Sequence, residues 1–181
     1  MTTWILILVP ALVLPIVLLF SFAGCALVAP LDEHVAAQPR LAGPPKCTVS
    51  EGPSPDKITD VTCDGKATGL GGESIEVKLA VTGQAKYNCN SQRPAPMDVR
   101  ETVTKTFAPT SGQVEFSIAY TFDLKQQPTK CAAGTTASLR NVSFTSVTLT
   151  ISQGGRPLFT CRSLPGTTLQ APETVLLDCG P

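Results

Sequence analysis

Cysteine is the residue type in this chain with the most chemistry to offer. Seven occur among 181 residues: Cys25, Cys47, Cys63, Cys89, Cys131, Cys161 and Cys179. Sulfur can bind a metal, act as a nucleophile, or oxidise in pairs, and spacing separates these uses. Zinc and iron–sulfur sites draw on close C-x-x-C-type pairs, and none exists here. Thioredoxin-like redox work needs the same short pair. Oxidation in pairs remains. Seven is odd, so one cysteine must do something else. Cys25 is set apart by its place at the end of an apolar run, and the other six suffice for three disulfides. Six cysteines allow 15 pairings, and sequence alone does not decide among them. The consecutive, un-nested set Cys47–Cys63, Cys89–Cys131 and Cys161–Cys179 is the simplest. In the chain-entropy account, closing a loop of the Cys89–Cys131 size contributes ~4 kcal/mol, a large share of a typical total of ~5–15 kcal/mol.

The remaining reactive types do not assemble into a site. A serine or cysteine nucleophile needs a base within reach, and the single histidine, His34, lies before the cysteine-rich region. Glu73, Glu76, Asp98, Glu101, Glu115 and Asp123 are the carboxylates that a glycosidase-like hydrolase would have to pair. Each fits a solvent-facing strand or turn position. Neither a phosphate-cradling glycine loop nor a calcium loop is present. The sequon Asn141-Val142-Ser143 matters only on a glycosylating secretory route. Catalytic residues, metal ligands and a cofactor are therefore not expected.

Residues 4 to 28 contain no charged side chain, long enough as a helix to cross ~30 Å of hydrocarbon. Pro10 and Pro15 would kink such a helix. The run ends in Phe22-Ala23-Gly24-Cys25, which resembles the lipobox of bacterial lipoproteins. That resemblance implies that the Cys25 thiol receives a diacylglyceryl group with palmitate-type acyl chains, and that the chain is cut before Cys25 as a signal peptide. Phe22 stands where the family usually has Leu, and Met1-Thr2-Thr3 lacks the usual basic residue. The same run also fits an uncleaved transmembrane helix with an inert Cys25, or a plain cleaved secretory signal. All three readings put the rest of the chain outside the cytoplasm, in the cell envelope, held at the membrane by lipid or helix in the first two.

Around these residues the chain is poor in charge, 15% against a typical ~25%, and rich in turn formers, with 14 glycines and 16 prolines. Lys plus Arg and Asp plus Glu both number 14, so no basic field exists to displace counterions from nucleic acid. Residues 26–46, with Pro30, Pro39, Pro44 and Pro45, read as an extended spacer. The expected organisation is a signal peptide or membrane anchor over 1–24, lipidated Cys25 with a Pro-rich linker over 25–46, and one domain over 47–181.

Within that domain the dominant period is two. Ile75, Val77, Leu79 and Val81 alternate with Glu76, Lys78 and Ala80, and Val114, Phe116, Ile118, Tyr120 and Phe122 alternate through 113–123. Shorter strands are expected over 58–63, 85–89, 158–161 and 174–179, with Gly83-Gln84 closing a turn. Residues 97–107, carrying Val99, Val103 and Phe107 among threonines, read as an exposed or edge strand. Between 138 and 152 Leu139, Val142 and Phe144 alternate poorly with Val147, Leu149 and Ile151, which predicts a bulge near 143–146. Ser152-Gln-Gly-Gly-Arg156 predicts a hairpin turn. Seven or eight strands predict an all-β fold: an antiparallel β-sandwich of immunoglobulin-like or related topology, preceded by the N-terminal hydrophobic helix. The core tryptophan of immunoglobulin domains is absent, since the only Trp is Trp4.

The segment Tyr87-Asn88-Cys89-Asn90, with Cys131 and then Val142-Ser-Phe-Thr-Ser-Val-Thr-Leu, is similar to patterns in small secreted actinobacterial-type proteins of unassigned function. That similarity implies a β fold and no activity. The expected role is a non-catalytic binding or accessory subunit of a membrane or envelope complex. A carrier of a small apolar or lipid ligand held between the sheets is the next expectation, and a hydrolase the last.

Overall fold

The computed structural model describes residues 38–52, 59–90 and 92–180. The expected N-terminal helix, Cys25 and His34 lie outside the described residues. Eleven strands follow in chain order: β1 (Arg40–Leu41), β2 (Lys46–Glu51), β3 (Thr59–Thr68), β4 (Ile75–Cys89), β5 (Met97–Phe107), β6 (Gln113–Phe122), β7 (Ala137–Gln153), β8 (Arg156–Arg162), β9 (Leu169–Gln170), β10 (Glu173–Leu176) and β11 (Asp178–Cys179). One short 3₁₀ turn, Leu124–Gln126, is the only helical element among the described residues.

These strands form two antiparallel sheets. In the first, β3 is paired along one edge by β6 and along the other by β2 and then β1, and β10 pairs with β2. In the second, β4 lies between β5 and β7; β8 and β9 share the far edge of β7, and β11 pairs with β8. Alternation puts one side of each strand inside. Strand β6 buries Val114, Phe116, Ile118, Tyr120 and Phe122, and β4 buries Ile75, Val77, Leu79, Val81, Ala85, Tyr87 and Cys89. The two inward faces form one continuous core. Aromatic pairs cross between the layers. Tyr120 of the first sheet meets Phe144 of the second edge to face at 6.3 Å between centroids, and Phe116 meets Phe107 at 6.2 Å.

Strand β4 runs unbroken for 15 residues, so Gly83-Gln84 is not a turn. The reason lies across the ladder. The pairing of β4 with β7 slips between Thr82 and Gly83, where Thr145 is the extra residue of a bulge, and again between Lys86 and Tyr87, where Arg140 is extra. At the first bulge the β7 backbone presses so closely on β4 that a Cβ on Gly83 would overlap the Ser143 carbonyl oxygen. Glycine therefore serves close approach here and not reversal. Hydroxyls bridge the irregularity: Thr145 Oγ1 donates to the Thr82 carbonyl at 3.3 Å, and Ser143 Oγ to that of Gln84 at 3.4 Å.

Three further expectations change. Strand β3 continues past Cys63 to Thr68, because β6 gives it a full-length partner. Residues 40–46, the end of the expected spacer, are tied to the first sheet at both ends: Arg40 and Leu41 pair with Thr68 and Ala67, and Lys46 opens β2. The prolines interrupt that edge without detaching it. The single last strand expected over 174–179 is two strands in two sheets. Between them Leu177 is buried, and its N–H donates to the Pro45 carbonyl at 2.9 Å.

Strand β5 is an edge, as its composition predicts, with most of its residues exposed. Two charged residues, Glu101 and Lys105, share the side of β5 that carries Val99 and Val103. Lys105 Nζ sits 5.1 Å from the centre of the Phe107 ring and donates to the Ser117 carbonyl of the first sheet at 3.4 Å.

Candidate functional site

Among the described residues three disulfides join Cys47 to Cys63, Cys89 to Cys131 and Cys161 to Cys179, the consecutive, un-nested set. Two of them link residues directly opposite each other on neighbouring antiparallel strands. Cys47 faces Cys63 in the β2–β3 ladder with Cα atoms 4.1 Å apart, and Cys161 faces Cys179 in the β8–β11 ladder at 3.9 Å. Cys89–Cys131 instead ties the end of β4 to the long connection between β6 and β7. That connection is also fixed where Asp123 Oδ1 accepts from the Lys125 N–H at 2.9 Å and where Tyr87 Oη accepts from the Lys130 N–H at 2.8 Å.

Two clefts lie where β8 meets the C-terminal segment. A cleft of about 620 Å³ is bounded by Leu158, Phe159, Arg162, Leu164 and Asp178. A second, of about 530 Å³, is bounded by Leu41, Pro44, Leu158, Phe159 and Leu177. Both are in the size range of small-molecule sites. They share Leu158, Phe159, Asp178 and Gly180, so the two clefts adjoin along β8 and the segment from Asp178 to Gly180. Local sequence explains the shape. Pro157 has no N–H to give a neighbouring strand. The β7–β8 register slips between Ile151 and Ser152, leaving Leu158 as an extra residue. Beyond β8, Ser163 holds the chain end, since its Oγ accepts from the Val147 N–H at 3.1 Å and its own N–H donates to the Val147 carbonyl at 2.9 Å. Leu164 then projects into solvent, 56% exposed.

The carboxylates do not gather. Glu115 pairs with Lys66 at 3.0 Å, Asp123 caps the 3₁₀ turn, Asp98 accepts from Gln84 Nε2 at 3.4 Å, and Glu73 and Glu76 lie exposed at the start of β4. Among the described residues no group of three or more His, Cys, Asp or Glu side chains could hold a metal ion. Asn141 of the sequon donates to Gln170 Oε1 at 3.4 Å.

Among the described residues one ionisable group is displaced. The Tyr120 hydroxyl is buried without a hydrogen-bond partner among the described residues. Burial first, and the nearby Glu101 carboxylate second, push its pKa up to about 12.

No protein-family model matches the chain, and no curated protein matches it. Among the described residues no helix is long and apolar enough to cross a membrane.

Proposed function

We propose that this chain is a membrane-anchored extracytoplasmic lipoprotein whose β domain is a non-catalytic binding or accessory subunit of a cell-envelope complex. Sulfur accounting carries the reading. Six of seven cysteines are used in pairs, an arrangement suited to an oxidising compartment, and the one left over is Cys25 of Phe22-Ala23-Gly24-Cys25. A lipid there would raise the local concentration of the domain beside a membrane partner. The scatter of carboxylates supports a non-enzymatic role.

Strand order favours immunoglobulin-like topology as the finer description. The first sheet has β3 between β2 and β6, and the second has β4 between β5 and β7, with β8 beyond. That matches an A-B-E layer facing a C′-C-F-G layer.

Two measurements test the function. Intact-mass analysis of protein from its native membrane is expected to give a chain starting at a diacylated Cys25 with six hydrogens missing. Capture from detergent-solubilised membranes is expected to bring down a stoichiometric protein partner, and repeated captures without one would remove the accessory role. A second reading, carriage of a small apolar ligand, is favoured by the clefts over Leu158 and Phe159 more than by the filled space between the sheets. Native mass spectrometry is expected to show a retained ligand if this reading holds.

A further inference from the structure

The two directly opposed disulfides have the same place in their ladders and very different support. Cys47 and Cys63 are both fully buried, inside a ladder of six residue pairs between β2 and β3. Cys161 is fully buried, but its partner Cys179 is only half-buried, and β11 pairs with β8 through two residues, Asp178 with Arg162 and Cys179 with Cys161. Before β11, the Leu177 side chain is buried and its N–H is bonded to Pro45, so the chain is anchored up to that point. After it, the segment that lines both clefts is held by this two-residue ladder and the disulfide.

We infer that residues Asp178 to Gly180 form a disulfide-fastened strap, and that reduction of Cys161–Cys179 releases it about Leu177. Release joins the two clefts into one apolar trough and bares the edge of β8. The reductant is a dithiol. One of its thiolates attacks the half-exposed Sγ of Cys179. The sulfur–sulfur bond breaks, and its electron pair leaves on Cys161 Sγ, which takes up a proton. The second thiol of the reductant then attacks the mixed disulfide. Cys179 departs as a thiol and the reductant becomes a disulfide, so two electrons and two protons have passed to the protein. Opening costs little locally because a two-residue ladder is all that must separate, whereas reaching Cys47–Cys63 requires β2 to leave β3.

The test is graded reduction of the native full-length chain with dithiothreitol, alkylation of free thiols, and peptide mapping. The expected result is labelling of Cys161 and Cys179 at a dithiol concentration about tenfold below that needed for Cys47 and Cys63. Under the milder condition the β-sheet circular dichroism should be retained, and binding of a fluorescent apolar dye should rise. Labelling of all four cysteines together, coincident with loss of the β signal, overturns the strap. So does early labelling with no gain in dye binding. The paired variant Cys161→Ser/Cys179→Ser supplies a second readout: proteolysis should clip its C-terminal segment while sparing the rest. A variant clipped no faster than the native chain also overturns the inference.

Discussion

The centre of the second sheet and its C-terminal rim are both antiparallel ladders, and they are held by opposite means. Strand β4 is paired on both sides along nearly its whole length, and its inward side chains are buried. Strand β11 has two paired residues and one covalent bond. The centre owes its place to many weak contacts made together, so no single backbone hydrogen bond matters much there. The rim owes its place to one strong link. Cooperative packing resists local opening, while a staple on a short strand can be undone without disturbing the rest.

Substitution at the centre should have the largest effect. Phe144→Ala removes a fully buried ring that spans to Tyr120, and its unfolding free energy should fall by ~3–5 kcal/mol in denaturant titration. An effect near zero would mean that the two layers do not pack as described. Next comes the comparison of staples. The loops closed by Cys47–Cys63 and Cys161–Cys179 span 16 and 18 residues, so the chain-entropy account assigns each ~3 kcal/mol. A freed β11 regains mobility in the folded state, so Cys161→Ala/Cys179→Ala should cost less than Cys47→Ala/Cys63→Ala. Equal losses would erase the contrast. Ser163→Ala should cost ~1–3 kcal/mol, because the Val147 N–H is left without its side-chain acceptor. The smallest effect belongs to Tyr120→Phe, near zero at neutral pH, since the hydroxyl has no partner to lose. Its signature is alkaline. A phenol whose folded pKa of about 12 exceeds its unfolded value of 10.0 contributes stability below pH 10 that is lost as pH rises towards 12. The variant should lose less stability than the native chain across that window.

Much of this architecture could be read from residue order. Alternation found β4, β6 and the exposed character of β5, because a strand with one wet face writes its period directly into side-chain polarity. The failed alternation after Phe144 marked the Thr145 bulge. The three-residue step from Leu139 to Val142 carries the same signal for the second bulge, at Arg140. Gly83 is ambiguous in sequence, because a glycine needed for close approach looks like one needed for reversal until the facing strand is known. The split at Leu177 was also hidden: a strand that changes sheets keeps its apolar content, and only long-range pairing shows the crossing. The clefts are not legible at all, since they depend on β8 meeting the C-terminal segment and, in the second cleft, on Leu41 and Leu177 as well.

The bare flank of β5 carries one last consequence. Among the described residues β5 has a strand partner, β4, on one side alone, and such an eleven-residue edge is a template on which other chains can add. Lys105 breaks that template, because a copy approaching in register would have to bury its ammonium group away from the Phe107 ring and the Ser117 carbonyl. Wherever such molecules are crowded, an inward-turned charge on an edge strand discourages one chain from adding to the next.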